Sequence, residues 1–393
     1  MDLFDSPDES EFRSRLRAWL AERLTDDWRA HYQSLDEREL IEFMREWQRQ
    51  LRGAGFVARS WPMVYGGQES TLIEDLILFE EFSKADAPKD VFRIGIRIIG
   101  PMLIKLGRED QKAFFLPRIV DGTDLWSQGF SEPGAGSDLA SLQTFAERNG
   151  DVYRINGQKV WNTYGHLADY CLLLVRTDRD VAKHKGLTAF IVKMDTAGID
   201  VRPLDQMNGR PDFNEIFFND VEVPVDAMVG EAGDGWKVAC TMLDFERRGI
   251  AVLGFECHRL FCRLLNLAKE VRLQGDDCCA IENPVIRRRL AEFGTQARIA
   301  VLNNYRFAAK VPKGGIPGPE TSIQKLHATE LNKSIHAFAL ELIGSADMTD
   351  PYARKLYGYW SEEYLTSFGM TIAGGTSQIQ RNIIGTRALE LPR

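Results

Sequence analysis

The hydrophobic residues of this chain change their period twice, in blocks. From Pro7 to about Leu24, the residues Phe12, Leu16, Trp19, Leu20 and Leu24 recur at the spacing of one helical stripe. Ser6 followed by Pro7 is a suitable start, because Pro fits the first helical position. Helical spacing resumes over 40–51 and 72–82, and less regularly over 91–106 and 111–120. At Asp121-Gly122 the pattern changes. WSQGF, LQTFAER, VYRI, KVWN, YCLLLVR, LTAFIV and EIFF are short aromatic and aliphatic segments separated by turn formers, which predicts strands. Asn156-Gly157, between VYRI and QKVW, predicts a hairpin, since both residues accept the positive φ of a tight turn. After Gly235 the helical period returns over 236–273, 284–311, 322–343, 351–368 and 376–389, with breaks at Gly275, at 312–319 and at Gly344. This block order predicts an α+β fold with segregated domains and argues against a doubly wound βαβ sheet.

The charge balance narrows the function. A net charge of −8 offers no clustered excess of Lys and Arg, so nucleic acid is not an expected partner. The first dozen residues, MDLFDSPDESEF, are acidic and lack the basic and apolar regions of a secretory signal. No apolar run approaches the roughly 18 residues of a membrane span, so the expectation is a cytoplasmic protein that does not enter a membrane. The six Cys form no CxxC pair, and the six His form no HExxH, so neither a redox motif nor a metal site is expected. GxSxG and GxxxxGK[ST] are also missing, which removes serine hydrolase and P-loop readings. What remains is chemistry resting on carboxylates or on an organic cofactor.

Gly134-Ala135-Gly136 in SEPGAGSDLAS opens like a dinucleotide fingerprint, but the third Gly is absent and strand segments follow in place of a helix. As it stands, a strand at Ser127–Phe130 leads into a loop with two Gly, one Pro and small polar side chains. Such a loop brings backbone N–H groups close to a planar cofactor or a phosphate, and it is equally compatible with a plain surface turn.

WSQGFSEPGAGSDLASLQT at Trp126–Thr144, NGQKVWNT at Asn156–Thr163, NEIFFNDVEVPVDAMVGEAGDGW across 214–236 and the C-terminal GGTSQIQRNIIGTRALELPR together resemble the acyl-CoA dehydrogenase family. The resemblance runs in order along essentially the whole chain. It implies an N-terminal helical domain over 1–124, a central β-barrel-like domain over 125–230 and a C-terminal four-helix bundle over 231–393. It further implies bound FAD and α,β-dehydrogenation of an acyl-CoA thioester, with electrons passed to an electron-transfer flavoprotein. The flavin contacts carried over are Phe130, Ser131, Gly136, Ser137, Trp161, Thr163, Thr376 and Gln378, with Ser137 also lying along the CoA chain.

That chemistry needs a base near a weakly acidic α-hydrogen, donors for an enolate-like oxygen, and a hydride acceptor. Many family members carry the base as a Glu directly before Gly-Thr, but this chain reads Ala373-Gly374-Gly375-Thr376. Members acting on branched or bulky acyl groups place the Glu on the first helix of the C-terminal domain, and the matching stretch here is Leu243-Asp244-Phe245-Glu246-Arg247. Glu246 is the candidate base, the plain alternative being a solvated helix carboxylate. Gly374 is expected to keep a backbone N–H for the thioester carbonyl and to leave room for a wide substrate. Asp244 and Arg247 match positions near the CoA moiety, or form a structural ion pair.

The family's Arg-x-Phe-Gly segment, which reaches the FAD of a neighbouring subunit, is replaced by EVRLQGDDCCAIENPVIRR. Arg272 is the candidate stand-in, and Glu341 occupies a place where relatives often have Gln. Chains modified in this way resemble the acyl-CoA dehydrogenases of steroid and dicarboxylate breakdown, some of which pair unlike chains. The expected assembly is a homo- or hetero-oligomer, dimer or tetramer. Two alternatives stay open: a non-catalytic partner subunit, or an O₂-using monooxygenase or oxidase of the same fold.

Overall fold

A computed structural model of the protein describes residues 5–88, 90–250, 252–273, 278–310, 318–344 and 351–392. The first helix, α1 (Pro7–Arg23), opens with a reciprocal cap in which Ser6 Oγ accepts from Glu9 N–H and the Glu9 carboxylate accepts from Ser6 N–H. Its stripe buries Phe12, Leu16 and Leu20. A second helix, α2 (Asp26–Ser34), buries no residue completely. Only Trp28 and Tyr32, one turn apart, pack it against the core, a stretch too short to establish a period in the sequence. The domain continues with α3 (Glu37–Gly53), α4 (Leu72–Lys84), α5 (Gly100–Leu106) and α6 (Glu109–Val120). Immediately before α5, Gly95–Ile99 is a π-helical turn. The residue it inserts is why the helical period over 91–106 is irregular.

The middle of the chain forms one eight-stranded sheet of β1 (Trp126–Gly129), β2 (Phe145–Asn149), β3 (Val152–Thr163), β4 (Tyr170–Arg176), β5 (Leu187–Lys193), β6 (Ile199–Leu204), β7 (Phe213–Pro224) and β8 (Met228–Val229). Its order is β6-β7-β3-β2-β4-β5-β8, with β1 parallel to β4. Alternate residues of β4 and β5 serve two cores. Leu172, Leu174, Ala189 and Ile191 join the N-terminal helices, while Leu173, Val175, Phe190 and Val192 pack with Ile216 and Phe218 on the other face. Burial on both faces explains why YCLLLVR reads as a continuous apolar run.

The hairpin expected at Asn156-Gly157 is not there. β3 runs straight through these residues against β7, and the β2–β3 turn lies earlier, between Asn149 and Val152. The positive φ of Gly157, +148°, serves a bulge: a Cβ there would stand 2.6 Å from the Thr144 Cα. Asn156 spends its side chain on Asp220, donating to its carboxylate and accepting from its N–H. Gly157→Ala should therefore cost about 2 kcal/mol, because the neighbour it meets is backbone and cannot swing away. Denaturant unfolding of the variant checks this, and an unchanged midpoint would contradict it.

In the last third, the single helix expected over 236–273 is divided into α7 (Gly235–Ile250) and α8 (Leu253–Glu270). α8 packs with α9 (Pro284–Ala308), α10 (Thr321–Gly344) and α11 (Pro351–Ile372) as a four-helix bundle around Leu264, Ala297, Ile335 and Phe338. The chain ends in α12 (Ser377–Ile383) and a second π turn, Ile384–Ala388. The breaks expected at Gly275 and across 312–317 lie outside the described residues. α7 does not belong to the bundle core. Val238, Ala239 and Met242 bury it against the N-terminal helices and β-sheet, and its later turns meet α10. It is the strut on which the three blocks meet.

Candidate active site

Between α11 and α12 the chain turns through Gly374 and Gly375, with φ of +64° and +94°, values that only Gly adopts freely. Thr376 then caps α12, its Oγ1 accepting from Ile379 N–H at 3.2 Å. The turn is held from below: Lys325 Nζ on α10 donates to Gly375 O at 2.8 Å, and Gln380 Nε2 donates to Gly374 O at 2.8 Å. A Cβ built on Gly374 would lie 3.0 Å from Glu246 Oε1. The carboxylate of α7 thus occupies the space into which a side chain at 374 would project.

Burial pushes the Glu246 carboxyl above the ordinary carboxylate range, while the charges of Arg93, Lys325 and Arg247 pull partly back. Burial likewise lowers Lys325, offset by Glu330 and Glu246. Flanking Glu246 on the same helix, Asp244 and Arg247 form an ion pair with each side chain about a third exposed.

A second cluster forms where the end of β1 meets β3. Val160 N–H donates to Ser131 O at 2.9 Å, Ser127 Oγ to Thr163 O at 3.1 Å, and Asn162 Nδ2 to Gln128 O at 2.7 Å. These bonds set Phe130 and Ser131 beside Trp161 and Thr163. Trp161 itself stands on a bulge of β3 with φ of +65° and is 61% exposed, which is costly for a large aromatic residue in the left-handed region. Glu132 and Ala135 exchange both backbone bonds at 3.0 Å, closing a tight turn. A Cβ on Gly134 within this turn, or on Gly136 just after it, would meet nothing within 4 Å, so the loop faces open space. Ser137 and Gln378 are exposed.

The motif residues that sequence reasoning passed over are the ones that brace this loop. Lys159 is fully buried and donates to Phe130 O at 3.0 Å and to Glu132 Oε1 at 2.8 Å. Glu132 accepts in addition from Gln143 and Thr144 N–H groups. Burial brings Lys159 down to about 8, against the pull of Glu132, and Lys159 holds Glu132 below the usual carboxylate value. A charged residue inside a strand segment, directly before Val160-Trp161, was the available signal.

An exposed, strained indole beside an open glycine loop fits a planar cofactor. So does Asn162 Oδ1, buried without a partner among the described residues in the same strand. The residues present therefore fit a flavin.

Matches to known proteins cover the chain in three pieces. Residues 6–123 match the acyl-CoA dehydrogenase N-terminal domain, 127–221 the middle domain and 233–389 the C-terminal domain. The chain belongs to the acyl-CoA dehydrogenase family. It is accordingly an oxidoreductase, and members of this family are flavoproteins. Acyl-CoA dehydrogenase IpdE1 of Mycobacterium tuberculosis is 39% identical over 393 residues, covering 98% of each chain. Among solved structures, the Tcur3481-Tcur3483 steroid ACAD is 31% identical with a TM-score of 0.85, covering 100% of both chains. The ChsE4-ChsE5 complex from Mycobacterium tuberculosis is 33% identical with a TM-score of 0.84, again covering 100% of both.

Within this acyl-CoA dehydrogenase, Arg272 forms a backbone bridge with Cys279, and Glu341 pairs with Arg289 on α9. Residues 274–277, inside the segment that replaces Arg-x-Phe-Gly, lie outside the described ones. Among the described residues no helix is long and apolar enough to cross a membrane.

Proposed function

We propose that this acyl-CoA dehydrogenase binds FAD and removes the α- and β-hydrogens of an acyl-CoA thioester with a bulky, branched or cyclic acyl group, using Glu246 as its base. The observation that carries the reading is the 3.0 Å separation between the Glu246 carboxylate and the place where a Gly374 side chain would begin. The base has moved from the turn to the helix while its carboxylate stays at one spot.

FAD, when bound, supplies the acceptor for the β-hydride. Phe130, Ser131, Gly136, Ser137, Trp161, Thr163, Thr376 and Gln378 would hold it, with the Lys159–Glu132 pair setting the first of these. Glu246 takes the α-proton on its carboxylate. Its raised proton affinity strengthens it as a base, and the acyl chain, by excluding water, strengthens it further. The Gly374 N–H is assigned to the thioester oxygen, where the developing negative charge needs a donor. Asp244 and Arg247 face the CoA, the guanidinium meeting an anion that the overall charge of the chain does not attract. Gly374 adds no bulk, which favours wide substrates. The relative named as a steroid ACAD supports a polycyclic acyl group. The electron acceptor is assigned as an electron-transfer flavoprotein, and residence in the cytoplasm completes the proposal.

A second reading concerns assembly. Two of the similar structures are named as pairs of chains, which favours a hetero-oligomer in which this chain works with an unlike partner. A panel of CoA thioesters, tested anaerobically on the chain purified alone, separates these readings. Flavin reduction by bulky thioesters supports a self-sufficient enzyme. Reduction only by short straight chains would sink the substrate assignment, and turnover only after adding a second chain would assign catalysis to the pair.

The pH dependence follows from the base. Glu246 must be ionised in the free enzyme, so kcat/KM should fall as pH drops through its raised pKa. The acid limb is expected above the ordinary glutamate value of about 4.3. A limb at or below that value would argue for a solvated carboxylate.

A further inference from the structure

Helix α10 grips the turn that carries Gly374 at two points. Lys325 Nζ donates to Gly375 O at 2.8 Å, and farther along the helix Glu330 accepts from Ser377 Oγ at 2.6 Å. The two grips differ in how their charge is met. Glu330 is about a third exposed and has its own cation in Lys333, at 2.8 Å. Lys325 is 3% exposed, and the hydrogen bond it makes is to a neutral peptide oxygen.

That oxygen does not need a charge. Gln380 Nε2, which holds Gly374 O at 2.8 Å, also reaches Gly375 O at 3.4 Å, so a neutral donor already ties the turn. Burying an ammonium to hold a carbonyl costs more than burying an amide in the same role. The carboxylate beside the turn is what the charge can serve. The turn itself, Ala373-Gly374-Gly375-Thr376, brings no titratable side chain. Three cations act on Glu246 from the elements around it: Arg93 ahead of the π turn, Lys325 on α10 and Arg247 on α7 itself. Arg93 has the largest effect but is exposed, where water and salt screen it, and Arg247 is shared with Asp244. Lys325 is the buried one. Its ammonium rests on the residue next to Gly374, whose Cβ position lies 3.0 Å from Glu246 Oε1, and the carboxylates acting on it in return are Glu330 and Glu246.

Resting on the assignment of Glu246 as the base, we propose that Lys325 is a positioning residue for this reaction: its buried ammonium keeps the Glu246 carboxylate ionised at the working pH, while its hydrogen bond sets the Gly374 turn. Without the cation, burial is less opposed and Glu246 keeps its proton to higher pH. The test compares three flavin-loaded variants: Lys325→Gln, which keeps a donor and drops the charge, Lys325→Met, which drops both, and Lys325→Arg, which keeps the charge. In the two neutral variants the acid limb of kcat/KM with a bulky acyl-CoA should move up by about one pH unit, a loss of about tenfold at pH values on the limb. In Lys325→Arg the limb should stay in place. A limb unmoved in both neutral variants, with rate lost equally at every pH, would make Lys325 a structural strut and overturn the proposal. So would a limb that moves as far in Lys325→Arg as in the neutral variants. A second readout needs no turnover: the infrared difference between each protein and its Glu246→Gln counterpart follows the protonated carboxyl of Glu246, and its midpoint should move with the limb. If no acyl-CoA reduces the flavin of the parent enzyme, the dehydrogenase reading fails. The infrared midpoint then still decides Lys325, upholding its role if it rises in the neutral variants and refuting it if it does not.

Discussion

Glu246→Gln is expected to lower kcat by about a thousandfold while leaving the flavin bound. The two side chains have nearly the same volume and Gln can keep the same rotamer, so packing between α7, α10 and the Gly374 turn is preserved. The substitution removes only the capacity to take a proton. Because Gly374 brings no carboxylate, no second base stands at the spot that the Glu246 Oε1 occupies. The measurement is the steady-state rate with a bulky acyl-CoA and an artificial electron acceptor, with flavin content read from the visible spectrum. Loss of rate together with loss of flavin would indicate a structural role. Retained rate would favour the monooxygenase alternative, and fast H₂O₂ release during turnover would indicate an oxidase.

Lys159→Met should produce the largest stability effect, about 3–5 kcal/mol, because it strands the buried Glu132 carboxylate without its cation. The loss extends to function. Lys159 also holds Phe130 O, and Glu132 organises the Gln143 and Thr144 amides at the far side of the glycine loop, so removing the cation should loosen the loop that carries the proposed flavin residues. The variant should unfold at lower denaturant and release flavin on gel filtration. Pairing it with Glu132→Gln should recover part of the lost stability, since the double variant buries no unpaired charge. A double variant as unstable as the sum of the singles would show that the two residues act independently.

The block order was legible because it rests on hydrophobic period, which packing enforces along whole segments. Local exceptions were not. α2 is only nine residues long and sets just Trp28 and Tyr32 against the core, too few contacts to show a period in the sequence. Asn156-Gly157 carries the chemistry of a turn, yet the same positive φ served a bulge, and only the approach of Thr144 distinguishes the two. At the site, motifs located Glu246 and Gly374 separately, but their 3.0 Å approach depends on the packing of α7 against the bundle. Lys325, which holds the turn between them, is 50 residues from its acceptor in sequence and had no local signature. Lys159 lay within a recognised motif and was overlooked because a buried lysine is legible only once its partner Glu132 is placed.

We propose that one carboxylate, that of Glu246 on α7, makes this chain a dehydrogenase. The most direct test is an anaerobic titration of the purified, flavin-loaded chain with a bulky acyl-CoA, following the flavin visible band. The parent enzyme should bleach as thioester is added, and Glu246→Gln, carrying the same flavin, should not. Bleaching that persists in the variant would show that Glu246 is not the base, and a parent enzyme that never bleaches with any acyl-CoA would show that the chain alone is not a dehydrogenase.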